Sequence, residues 1–169
     1  MRSVKNALTF LALAFLSWGA KAQIFLYPDN NLNWHDCVCH FDNGVIREGN
    51  NWTGKILLTV QNQHVFAGYS TSDLDILYSV RDGKLYLGDS FFTDAIAYTY
   101  IESEGKIYLG DSTFPLDLAY TIRPDNFKRG VLNVYKDDSI SPFDIVACLQ
   151  GDIPTAEELI ALLISADLL

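Results

Sequence analysis

Apolar and polar positions along this chain follow one seventeen-residue word, written four times without a gap over residues 64–80, 84–100, 106–122 and 133–149. Its second place is aliphatic in every copy (Val65, Leu85, Ile107, Val134) and its third is aromatic (Phe66, Tyr86, Tyr108, Tyr135). The seventh is serine (Ser70, Ser90, Ser112, Ser139). The twelfth is aspartate at Asp75, Asp117 and Asp144, with Ala95 in the remaining copy. Aliphatic residues return at the thirteenth place, and Tyr78, Tyr98, Tyr120 and Ala147 fill the fifteenth. Aromatic and β-branched residues suit a pleated surface, and the Gly-Asp-Ser in two of the copies is turn chemistry. Each word therefore predicts a strand, a polar corner and a second strand. Asp82-Gly83 and Glu104-Gly105 predict tight hairpins between copies, and the connector over 123–132 is longer.

The flanks carry the pattern more weakly. Gln23–Tyr27 reads as a strand, Pro28–Asn31 as a turn, and Trp34–Phe41 as a second strand. Ile24 and Phe25 match the start of the word, a degraded fifth copy. Residues 45–54 are polar and read as a loop, and Lys55–Val60 reads as a strand. Thr155-Ala-Glu-Glu158 after Pro154 is a capping box opening an apolar helix. The expectation is an all-β fold: repeated two-strand units forming a compact β-repeat domain over 23–153, with one C-terminal α-helix over 154–169 capping an open end. Leu85 and Leu87 on one side of a strand and Tyr86 on the other predict burial on both faces.

The beginning of the chain changes the picture. Arg2 and Lys5 precede an apolar run from Ala7 to Trp18, and Ala20-Lys21-Ala22 is a small-x-small cleavage site. Residues 1–22 therefore read as a signal peptide, giving an exported protein, periplasmic or extracellular, that starts at Gln23. Cleavage would remove three of the twelve basic residues and shift the net charge from −9 to −12. So acidic a surface repels phosphate backbones and anionic lipid, which argues against nucleic acid and against membrane insertion after cleavage.

Candidate chemistry is sparse. His35, Cys37 and Cys39 fall two apart and, on one strand face, would offer a soft-metal triad. The plainer reading is a packed thiol and an ordinary histidine. Export permits a disulfide, and Cys148 with Cys37 or Cys39 is the pairing that spacing allows. The recurrent Ser and Asp read as local hydrogen-bonding groups of the corners, because a nucleophile occurs once and not once per copy. Calcium would need denser oxygen ligands than Asp137-Asp-Ser139 provides. The aromatic ladder Phe66, Tyr86, Tyr108, Tyr135 suits either stacking on sugars or simple packing, and packing is preferred. No cofactor and no catalytic centre are expected, and the partner is left open.

The pattern aliphatic-aromatic, then Ser, then Asp-aliphatic-x-Tyr over residues 64–149 resembles the repeats of the septoil-knot domain family of small bacterial β-repeat proteins. The resemblance implies a chain threaded into a seven-crossing torus knot and brings no established activity. The sequence thus points to a non-enzymatic structural or interaction protein, with glycan or metal binding as the alternative. Function is expected in the unrepeated parts: the Trp34–Phe41 stretch, the 45–54 loop or the 123–132 connector.

Overall fold

A computed structural model describes residues 23–169, so the export segment read over 1–22 lies outside the described residues. Twelve strands form one closed antiparallel barrel: β1 (Ile24–Pro28), β2 (Cys39–Asp42), β3 (Val45–Glu48), β4 (Ile56–Gln61), β5 (His64–Ala67), β6 (Ile76–Arg81), β7 (Lys84–Leu87), β8 (Ile96–Ile101), β9 (Lys106–Leu109), β10 (Leu118–Pro124), β11 (Val131–Lys136) and β12 (Ile145–Gly151). One helix, α1 (Ala156–Ser165), follows. Each strand bonds to its neighbours in the chain, and β1 closes the ring against β12 with Ile24 opposite Gly151 and Leu26 opposite Leu149. This strand order follows the chain around the ring and needs no threading. Full closure leaves no unpaired sheet edge.

The word appears six times in three dimensions. Units 3 to 6 are the strand pairs β5–β6, β7–β8, β9–β10 and β11–β12, matching the four copies. Unit 1 is β1–β2 and unit 2 is β3–β4. The loop expected over 45–54 is thus a strand at Val45–Glu48 followed by a corner. Only Ile46 of those four residues is apolar and inward, which hid the strand. Trp34–Phe41 is not one strand either: Trp34–Asp36 makes a 3-10 turn, capped by Asn33, and the strand begins at Cys39. Within a unit the second place pairs with the fifteenth (Val65 with Tyr78, Leu85 with Tyr98, Ile107 with Tyr120) and the third with the thirteenth. The register shifts by one residue between those pairs. This bulge coils each short pair and helps close the ring.

Because side chains alternate, the second place of every unit points inward. Leu26, Ile46, Val65, Leu85, Ile107 and Val134 form one aliphatic ring and all are fully buried. The third place points outward, where Phe66 and Tyr108 are buried and Tyr86 and Tyr135 half-buried. Among the described residues no second layer covers the outer wall, so burial on both faces is only partial, and Leu87 is exposed.

The helix lies inside the ring. Leu159, Ile160, Ala161, Leu162 and Leu163 are five consecutive buried residues, more than a full turn, so α1 is enclosed on all sides. The expectation of a helix capping an open end is corrected to one filling the lumen. It packs nearest to β2, β3, β4 and β5. The fifteenth place explains the offset. Cys39 and Leu58 leave room for the helix on that side, while Tyr78, Tyr98 and Tyr120 fill the other. The Tyr120 hydroxyl reaches across to donate to the Leu168 carbonyl at 2.8 Å. The capping box is complete, with Thr155 Oγ1 accepting from the Glu158 N–H and Glu158 Oε2 from the Thr155 N–H.

Candidate functional site at the corner rim

In an up-and-down ring the corners inside the units share one end of the barrel and the tight turns between units share the other. Each corner opens at a residue with positive φ: Asp29, Gly49, Gly68, Gly88, Gly110 and Asp137, at 51° to 65°. Glycine enters this region freely, and aspartate is among the few side chains that tolerate it. The N–H of each such residue bonds a strand of the preceding unit, to Val146, Val38, Leu57, Leu77, Ala97 and Ala119 respectively. The residue two places after that acceptor makes a second tie. Thr59, Ser79 and Thr99 donate to the carbonyls of Gly68, Gly88 and Gly110, and Thr121 to Asp137, each at 2.7 Å. His40 does the same in unit 1, its Nδ1 lying 2.7 Å from the Gly49 carbonyl. Since a carbonyl only accepts, Nδ1 carries the proton.

The repeated serine and aspartate meet in the corner. Ser70 Oγ donates to Asp75 Oδ2 at 2.6 Å, Ser112 to Asp117 at 2.5 Å, and Ser139 to Asp144 at 2.6 Å. In unit 1 Asn31 and Asp36 replace the pair at 2.7 Å. The seventh place also accepts the N–H two residues on, as Ser90 does from Phe92. The hydroxyls of Ser70, Ser112 and Ser139 are thus committed as donor and acceptor, and these serines close corners.

Ion pairs tie neighbouring units on the outer wall. Arg81 and His64 converge on Asp89, Arg123 meets Asp138 at 2.6 Å, and Lys84 meets Asp111 at 2.6 Å. The hydrogen bond from His64, opposed by desolvation and reinforced by Arg81, holds the Asp89 carboxyl below its ordinary range. Arg81 also lies 5.4 Å from the Phe91 ring centre, and Arg123 5.6 Å from that of Tyr135.

The sequence candidates for metal and disulfide chemistry do not come together. His35 is exposed in the 3-10 turn, Cys37 follows it half-buried, and Cys39 is buried in the lumen, so no strand face unites them. Among the described residues no group of three His, Cys, Asp or Glu side chains is placed to hold a metal ion. All three thiols are free, which corrects the expected bridge. The reason is sidedness: Cys39 faces α1 inside the barrel, whereas Cys148 faces outward against Asn133, its Sγ 3.1 Å from Asn133 Oδ1. Burial pushes the Cys37 and Cys148 thiols up to about 11, and Cys39 higher, so none is a thiolate at neutral pH. His40 is buried, packed between Phe25 and Trp52. Its structural part was readable from its offset, which matches that of Thr59, Ser79 and Thr99.

What the rim does offer is exposed apolar surface. Leu74, Leu116 and Phe143 stand at the same place of three corners and are 95%, 98% and 98% exposed. Phe91, Phe92, Phe114 and Ile140 join them from the same loops, with Trp34 and Trp52 beside units 1 and 2. A gathered set of this size marks an interaction face more often than chance exposure. The unrepeated stretches were expected to carry function, yet most of these residues lie in the repeated corners. Among the described residues no helix is long and apolar enough to cross a membrane.

Comparison with known proteins fits this geometry. No match was found among curated proteins or among solved structures. A family model described as 6-fold beta flower protein matches residues 26–163, which spans all six units and most of the lumen helix. The chain belongs to the 6-fold beta flower protein family.

Proposed function

We propose that this chain is an exported, non-enzymatic interaction module whose working face is the corner rim. The observation that carries this reading is the placement of Leu74, Leu116 and Phe143, nearly fully exposed at equivalent corners on one end of the barrel. Holding such side chains in water gains the free chain nothing, whereas burying each against a partner contributes roughly 1.5–3 kcal/mol. Asp73, Asp94 and Asp144 are exposed between them. The complementary partner is therefore an apolar surface bordered by basic side chains, and the acidic rim disfavours a second copy of the same chain. The pattern of residues 1–22 supports export, by which this partner belongs to the periplasm or the exterior.

The test places a photo-crosslinking residue at Leu116, at Phe143 and, on the opposite end, at Asp82. Adducts at the first two positions but not at Asp82, weakened by raised salt, are expected in the envelope or medium of the source cells. Equal labelling at both ends, or none at the rim, defeats the proposal. Mass measurement of the exported protein reads the export part: a chain beginning at Gln23 is expected, and a retained leader overturns it.

A further inference from the structure

The outer groove between neighbouring units is filled at most junctions by the protein's own side chains. Between units 3 and 4, Arg81 spans it to Asp89 and covers Phe91. Between units 4 and 5, Lys84 reaches Asp111. Between units 5 and 6, Arg123 bonds Asp138 and the Ser139 carbonyl. Between units 1 and 2, Phe25, His40 and Trp52 pack together. The junction of units 2 and 3 differs. Gln61 stands where Arg81 and Arg123 stand, two residues after the tying hydroxyl of Thr59. Tyr69 stands where Asp89 and Asp138 stand, one residue after the corner's positive-φ position. Both halves of the ion pair have been exchanged for neutral groups. The result is an open cavity of about 410 Å³, running from the β2–β3 turn at Asn43 and Gly44 to Tyr69, Ser70 and Thr71.

The lining names a class of ligand. Asn43, Gln61 and Thr71 supply amide and hydroxyl groups, the Thr59 and Ser70 hydroxyls being held by the corner, and none of the lining residues carries a charge. Tyr69 is 80% exposed and presents an aromatic face at the mouth. The volume falls within the range of roughly 300–1,000 Å³ of small-molecule sites. The carboxylate of Asp42 sits beside Asn43, so an anionic guest would find no counter-ion there and would also meet the net negative chain. A saccharide ring fits: hydroxyls around its edge to pair with amides and hydroxyls, and C–H groups on its face to lie against an aromatic ring. We infer that the groove between units 2 and 3 is a binding site for a neutral saccharide. Gln61 and Asn43 would bond its hydroxyls, and Tyr69 would give it a platform. This site uses residues distinct from Leu74, Leu116 and Phe143 and stands or falls independently of the rim.

The experiment is a titration of the mature chain, followed by amide NMR, with neutral hexose and N-acetylhexosamine disaccharides and with a uronate-containing disaccharide. Shifts confined to 43–45, 59–61 and 69–71 on addition of a neutral sugar are expected, with the uronate binding at least tenfold more weakly. The decisive variant is Gln61→Arg with Tyr69→Asp, which rebuilds the ion pair of the sister junctions and is expected to fold as they do. It should abolish the shifts, and Tyr69→Ala alone should weaken them at least tenfold. Absence of shifts with every neutral sugar, equal binding of the uronate, or unaltered binding by a folded double variant would each overturn the assignment.

Discussion

Thr99 Oγ1 donates a hydrogen bond to the carbonyl of Gly110 at 2.7 Å, joining the second strand of one unit to the corner of the next. The same tie recurs around the ring with Thr59, Ser79 and Thr121 as donors. It adds to the strand ladders that join six hairpins, each too small to be stable alone, into one object. Thr99→Val keeps the shape and removes the donor, leaving a part-buried carbonyl unpaired. A loss of about 1 kcal/mol is expected in urea denaturation. An unchanged midpoint would mean that water replaces the hydroxyl and the backbone bond alone joins the units.

Gly83 and Gly88 both have positive φ, at 73° and 63°, but their surroundings differ. A Cβ at Gly83 would land against the Tyr100 carbonyl oxygen, whereas nothing lies within 4 Å of one at Gly88. Gly88→Ala is expected to cost about 1 kcal/mol, the conformational penalty alone. Gly83→Ala should cost a further ~2 kcal/mol, because backbone must shift. Gly88→Asp should be milder than Gly88→Ala, as Asp29 and Asp137 already hold the equivalent place with φ near 50°. Thermal melts of the three variants rank them.

Unit 4 has Ala95 where units 1, 3, 5 and 6 have aspartate, so Ser90 makes only its backbone bond. Ala95→Asp should restore the Ser-Asp contact and stabilise the protein by about 1 kcal/mol. Ser112→Ala, which breaks an intact contact, should be worse than Ser90→Ala by a similar margin. Equal effects of the two serine variants would show that the carboxylate contributes nothing beyond the turn.

How much of this was legible from the chain depended on whether a signal was local. The second-place aliphatics, the Ser-Asp corners and the Thr155–Glu158 capping box are set by neighbours in the chain, and each could be read there. Units 1 and 2 were obscured because their serine places hold Asn31 and Asn51 and the aromatic place of unit 2 holds Arg47, though both corners close by the same hydrogen bonds. The position of α1 was not legible. An apolar helix looks alike whether it covers an end or fills a lumen, and the residues that make space for it, Cys39 and Leu58, lie far from it in the chain. The groove at Gln61 and Tyr69 shows only as a departure from the other copies, which has no meaning until the Arg81–Asp89 pair is seen.

Free thiols give a further check. Alkylation in denaturant without reductant should add three groups per chain, and native protein at pH 8 should react slowly. Burial holds Cys37 and Cys148 at about 11, above the 9.0 of an unperturbed thiol. Folding therefore favours the neutral form. That contribution is complete below pH 9 and is lost as pH rises through about 11. Burial raises Tyr100 and Tyr120 as well, with the same sign. The melting temperature should accordingly fall across this alkaline window. A flat profile from pH 8.5 to 11.5 would refute the burial of these groups.

The enclosed helix also orders events in time. It follows the last strand, and the ring shuts only when β12 meets β1. A ribosome releasing this chain delivers six inner aliphatics before the element they surround, and eleven of the twelve strands before the β1–β12 seam can form. Contacts so distant in sequence form slowly. The growing polypeptide thus has no closed ring to settle into until β12 is made, and no filled lumen until α1 follows it.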